Sequence, residues 1–117
     1  MPRLRSFALA FAASATLTFP FPASSSEYSC KPTEVTVWQN RVHVRCAQSV
    51  NDGSTAIWYW AVATSDAERA NRFLSAGSTA LVSGRTLYFS WTAGDTTGVA
   101  YGCLARDCRT PVSFALR

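Results

Sequence analysis

Four cysteines constrain this chain more than any other feature. Cys30, Cys46, Cys103 and Cys108 all follow an N-terminal segment with the marks of an export leader. Met1–Arg5 is a short basic stretch, and Phe7–Phe19 is an apolar run broken only by small hydroxyl residues. Pro20, Pro22, Ala23 and Ser24–Ser26 then read as a cleavage region. The apolar run falls short of the ~20 residues a membrane span needs. Residues 1–26 are therefore expected to be a signal peptide, cut after Ala23 or Ser26, and residues 27–117 a single domain. Glu27-Tyr28-Ser29 before Cys30 lacks the apolar and small residues of a lipoprotein box, so release to the periplasm or the medium is expected.

An even cysteine count in a small exported domain predicts two disulfides, with three formal connectivities. Pairing of sequence neighbours gives Cys30–Cys46 and Cys103–Cys108. The first closes a loop of about 15 residues, for roughly 3 kcal/mol of chain-entropy stabilisation. A metal site is disfavoured, because Cys-x4-Cys with His43 matches no usual zinc spacing. The chain carries no cofactor motif. Its formal charge of +4 includes Arg3 and Arg5; without them nine basic groups face seven acidic ones, leaving +2. Nucleic-acid binding loses its electrostatic support accordingly.

Alternation of period two marks the strands. In Thr33–Trp38, Val35 and Val37 point one way while Thr36 and Trp38 point the other. In Val42–Ala47, Val42, Val44 and Cys46 oppose His43 and Arg45. Gln39-Asn40-Arg41 connects the two. Val50–Ser54 reads as a turn through Asp52-Gly53. Thr55–Val62 is apolar on both faces, so it must be covered on both, by its own chain or by a neighbour's. Ser65-Asp66-Ala67-Glu68 reads as a capping box. Ala70, Phe73, Leu74, Gly77 and Leu81 then recur at helical spacing, Glu68 and Arg72 stand four apart, and Gly84 stops the helix. Leu87, Phe89 and Trp91 alternate within Arg85–Thr92. Val99–Leu104 and Val112–Leu116 read as further short strands. The order β-β-β-α-β-β predicts an all-β fold with one helix, an OB-fold-like Greek-key barrel with two disulfides.

In this order of features the chain resembles the B subunits of AB5 toxins of the subtilase cytotoxin and typhoid toxin type. The resemblance is carried by Tyr28-Ser29 near the mature N-terminus, Cys46 ending a strand and Ala61-Val62 before the helix. It continues with Gly84 leading into the aromatic strand, and with the Cys103–Cys108 pair. It implies a secreted bacterial OB-fold protein that forms a homo-oligomeric, pentameric ring, binds sialylated glycans and partners a toxin A subunit. It also implies that Ser29 contacts the sialic acid carboxylate. In that family the second-strand cysteine pairs with one in the next strand, where this chain has Trp58–Trp60. Cys30 is the substitute partner here.

The residues themselves give a binding module rather than an enzyme. His43 is the one histidine, and no Asp or Glu stands opposite it by an obvious register. Asp66 and Glu68 belong to the helix N-terminus, and Asp52 and Asp95 to turns. Glu27, Glu34 and Asp107 form no visible acid–base pair. Trp38 shares a face with Thr36 and, across the hairpin, with His43 and Arg45. An indole beside a cation and hydroxyls can stack on a sugar and hold an anionic group; packing of the Arg45 stem over the indole is the plainer alternative. Ser29, Trp38, His43 and Arg45 are thus the candidate ligand-binding residues, for a glycan or glycoprotein. The alternative function is a monomeric periplasmic or secreted OB-fold module that binds a protein, as an inhibitor or envelope factor. A small hydrolase built on His43 is the remaining reading.

Overall fold

A computed structural model describes residues 25–117. The expected leader lies outside the described residues, apart from Ser25 and Ser26, which open the first strand. The elements are β1 (Ser25–Cys30), β2 (Pro32–Val37), β3 (Arg41–Asp52), β4 (Thr55–Ala63) and α1 (Ala67–Ser83). They continue with β5 (Leu87–Thr92), a short 3-10 helix (Thr97–Tyr101), β6 (Cys108–Arg109) and β7 (Ser113–Leu116). The fold is mostly β with one helix. Both disulfides pair as sequence neighbours, with Cα atoms 5.3 Å apart for Cys30–Cys46 and 5.1 Å apart for Cys103–Cys108.

The strands do not close into a barrel. They form two sheets, β2-β3-β4-β6 and β1-β5-β7. Consecutive strands β1 and β2 belong to different sheets, and Pro32 at their joint has no N–H to extend a ladder. β6 is only two residues long and pairs in parallel with β4, while β7 pairs with β5. The sheets are held to each other by side chains and one covalent bond. Trp60 of β4 lies 4.8 Å from Phe89 and 5.1 Å from Trp91, both on β5. Cys30–Cys46 ties β1 to β3 beside them. Leu87, Phe89 and Trp91 all face inward, as their alternation requires.

α1 covers this core with Ala70, Phe73, Gly77 and Ala80. Gly77 is needed for close approach: a Cβ there would come within 3.0 Å of Val44 Cγ2 and 3.3 Å of Val35 Cγ2. Leu81 lies outside the buried stripe and is 40% exposed. The N-cap is Asp66 rather than Ser65; its Oδ1 accepts from the Arg69 N–H at 3.3 Å. A carboxylate caps better here, because it also meets the positive end of the helix. The expected capping box does not form, and Glu68 instead pairs with Arg72 at 2.5 Å. Gly84, with φ 72°, ends the helix as expected.

Two further expectations change. β3 runs on to Asp52, so only Gly53 and Ser54 make the turn. The expected strand over Val99–Leu104 is replaced by the 3-10 helix and a disulfide loop. Gly98 packs where a Cβ would lie 2.7 Å from Thr110 Oγ1, and Gly102 (φ 92°) donates back to Val99 O. That left-handed turn stops the chain from extending.

The loop from Cys103 to Cys108 settles how β4 is covered. Trp60 and Val62 face the main core, while Ala61 faces outward into a second cluster with Cys103 and Cys108. Tyr59 and Tyr101 flank that cluster. Both faces of β4 are thus covered by the chain's own residues. Asp52 is not a turn residue on the surface. It is buried and pairs with Arg109 at 2.6 Å, while both its oxygens accept from the Gly94 N–H. Burial pushes its pKa up, but the Arg109 guanidinium and the Gly94 N–H outweigh that and hold it below the ordinary value.

Candidate functional site

The outer face of the four-stranded sheet is built by strict alternation. Thr36 lies opposite His43, and Glu34 lies opposite Arg45. On the far side of β3, Tyr59 lies opposite Arg45 and Ala61 opposite His43. Because Ala61 is small, His43 leans toward Tyr59, with ring centroids 5.3 Å apart. The disulfide loop rises beside this stripe and is pinned to β4, since Asp107 O accepts from both the Trp58 and Tyr59 N–H groups. Between sheet and loop lies a groove of about 320 Å³, walled by Trp38, His43, Tyr59 and Leu104 and rimmed by charged residues.

Trp38 sits at the end of this groove and is 48% exposed. Its backbone N–H closes the β2–β3 hairpin on Arg41 O at 2.7 Å. Its indole N–H donates to His43 Nδ1 at 3.3 Å. An indole N–H can only donate, so Nδ1 accepts and the ring proton sits on Nε2. That nitrogen donates to Glu34 Oε1 at 3.2 Å. Both ring nitrogens of His43 are therefore hydrogen-bonded within the protein. The Glu34 carboxylate is held below the ordinary range, first by the His43 hydrogen bond and next by that from Thr36 Oγ1 at 2.9 Å.

The cation over Trp38 is Arg41, not Arg45. Arg41 Cζ stands 4.9 Å from the indole centroid, and Nη1 reaches Asn40 Oδ1 at 3.0 Å and Tyr101 O at 3.4 Å. Gly102 makes room for it, because a Cβ there would lie 2.5 Å from Arg41 Nη1. Arg45 is exposed on the same sheet face, with its guanidinium 5.5 Å from the Trp58 ring and 6.0 Å from that of Tyr59.

Ser29 stands apart from the other candidates. It lies on β1 opposite Tyr88 and opens into a separate cleft of about 210 Å³ with Tyr28, Lys31 and Gln48. Tyr28 closes the floor of this cleft, its hydroxyl donating to Gln48 O and its ring stacking on Trp60 at 6.1 Å. Burial raises the Tyr28 pKa. The four sequence candidates thus divide: Trp38 and His43 meet in one groove, Arg45 flanks it, and Ser29 belongs to another cleft.

Glu34 is the partner that sequence reasoning missed for His43. It sits diagonally across the hairpin, two residues from the register partner Thr36, a distance long side chains span. Alternation alone places Glu34 on the Trp38 face and so carried the signal. Nothing local in the sequence brings Arg106 and Asp107 there, because their position depends on the loop. Among the described residues no group of three or more His, Cys, Asp or Glu is placed to hold a metal ion. No described helix is long and apolar enough to cross a membrane. Comparison of the chain with protein-family models, with curated proteins and with solved structures finds no match.

Proposed function

We propose that this protein is an exported, non-catalytic binding module that recognises a cell-surface glycan, in the manner of the toxin B subunits it resembles. The observation that carries the reading is the half-exposed Trp38 indole, fixed by His43 at the mouth of a polar groove. Aromatic platforms with a few converging polar groups are the usual means of orienting a small polar ligand. The two disulfides support an oxidising compartment. The Ser29 cleft, with Lys31 at its side, is where the resemblance places an acidic sugar. The test is a glycan array probed with the oxidised chain from residue 27. Specific binding that falls with Trp38→Ala or Ser29→Ala supports the reading, and a blank array overturns it.

Leu81 and Val82 favour a second, protein-binding reading. They are adjacent at the end of α1, and Val82 is 87% exposed. Adjacent exposed apolar residues are characteristic of association surfaces. Light scattering separates the cases: about five monomer masses supports the ring the resemblance implies, whereas a monomer supports a separate protein partner.

A further inference from the structure

We infer that the Trp38 groove takes a neutral pyranose, a sugar without a carboxylate, and is a subsite distinct from the Ser29 cleft. The inference rests on the glycan-binding reading and names the ligand class for one of its two sites.

Two carboxylates, Glu34 and Asp107, and two guanidinium groups, Arg41 and Arg106, line the groove. Arg41 is engaged by the indole, Asn40 and Tyr101 O, while the exposed Arg106 stands 3.9 Å from Asp107 Oδ2, beyond hydrogen-bond distance. The formal charges of the two carboxylates and the two guanidinium groups cancel, so the groove offers no net positive charge to a ligand carboxylate, which would also meet Glu34 and Asp107. Like charges brought together in this way disfavour an anion.

Hydroxyls meet the opposite situation. Glu34 Oε1 takes the bonds from Thr36 and His43, whereas Oε2 accepts none among the described residues. Among those residues Asp107 Oδ1 likewise accepts none, and the Arg106 contact runs through Oδ2. Ionised carboxylate oxygens are strong acceptors for O–H donors. The groove volume of about 320 Å³ sits at the lower end of small-molecule sites, roughly 300–1,000 Å³, which suits one ring rather than a chain of them. Arg41 covers one face of the indole, and His43 fixes the indole's orientation through its N–H. The indole is 48% exposed, and that area is what the apolar face of a pyranose would cover.

The test is an NMR titration of the oxidised protein with methyl glycosides of glucose, galactose and mannose, with sialyllactose as the acidic comparator. A saturable shift of the Trp38 indole N–H with at least one neutral glycoside is expected. Trp38→Ala should abolish that binding, and Glu34→Gln with Asp107→Asn should weaken it by roughly tenfold through lost charged hydrogen bonds. Retained amide dispersion in each variant separates lost binding from lost fold. No Trp38 shift with any neutral glycoside overturns the inference. So does a Trp38 shift with sialyllactose alone. Sialyllactose shifts confined to Ser29 and Lys31, with the neutral glycosides silent, overturn the inference while leaving the proposed function standing.

Discussion

The two faces of β4 are covered in opposite ways. On the inner face Trp60 is locked among Phe89, Trp91 and other large side chains from both sheets and the helix. On the outer face Ala61 packs with Cys103 and Cys108, with Tyr59 and Tyr101 beside them. The Cys30–Cys46 bond therefore adds to packing that already joins the sheets. The Cys103–Cys108 bond stands in for packing, because the loop it closes leaves both of its apolar residues, Leu104 and Ala105, exposed. The second bond also shapes one wall of the Trp38 groove, so the groove's integrity and the fold's stability depend on different bonds.

Substitutions that separate the two regions test this contrast. The largest loss is expected for Asp52→Ala, which leaves the buried Arg109 without its counter-charge, held only by Ala105 O and Cys108 O, where the two regions meet. Removing one partner of a buried pair costs about 3–5 kcal/mol, readable by urea unfolding. The same pair sets an acid limit. The folded pKa of Asp52 lies below its ordinary 3.8, so its contribution is complete above that value and is lost as pH falls through the folded pKa. In Asp52→Asn this acid-dependent part of the unfolding curve should vanish.

Next in size is the double variant Cys30→Ala with Cys46→Ala. It should lower stability by roughly 3 kcal/mol while leaving ligand shifts at Trp38 in place under native conditions. Cys103→Ala with Cys108→Ala should cost less, roughly 2 kcal/mol for its shorter loop. Its main effect should be local: hydrogen exchange at Trp58 and Tyr59, whose N–H groups bond to Asp107 O, should quicken while Trp60 stays protected. Equal loss of protection at all three would show the two regions to be one cooperative unit and end the contrast. The smallest effect is expected for Gly102→Ala. A left-handed backbone costs a side chain about 1–2 kcal/mol, and the new Cβ would push Arg41 off Trp38. A change in Trp38 indole chemical shift would report that displacement.

Much of this was legible in the sequence because it is periodic or local. Alternation put Val42 and Val44 inside and His43 outside, and Leu87, Phe89 and Trp91 into the core. Sequence-neighbour pairing gave both disulfides, and Gly84 ended the helix where a left-handed residue was needed. The illegible parts depend on contacts between distant segments. Asp52 looks like a turn residue until Arg109, far along the chain, arrives beside it. The 3-10 helix over Thr97–Tyr101 reflects tight packing of Gly98 on Thr110, which composition cannot reveal. Barrel closure failed because strand order in sequence does not fix which edges meet. For the groove, alternation placed Trp38, His43 and Glu34 together, but the nearer cation proved to be Arg41. The hairpin turn brings it back beside the indole, while Arg45 leans the other way onto Trp58.

The three-stranded sheet is built from the first described strand and two late ones: β1 pairs only with β5, and β5 with β7. Chains are made from the N-terminus, and domains fold as their segments become available. When residues 25–63 have appeared, β2, β3 and β4 can already form their hairpins, yet β1 has no strand to pair with until Leu87 and beyond emerge. Cys30 and Cys46 are both present throughout that interval. Their bond, once formed, ties β1 to β3 whether or not β1 has found its partner strand. The first disulfide thereby holds β1 by a bond that is independent of β5, the one described strand with which β1 shares a ladder.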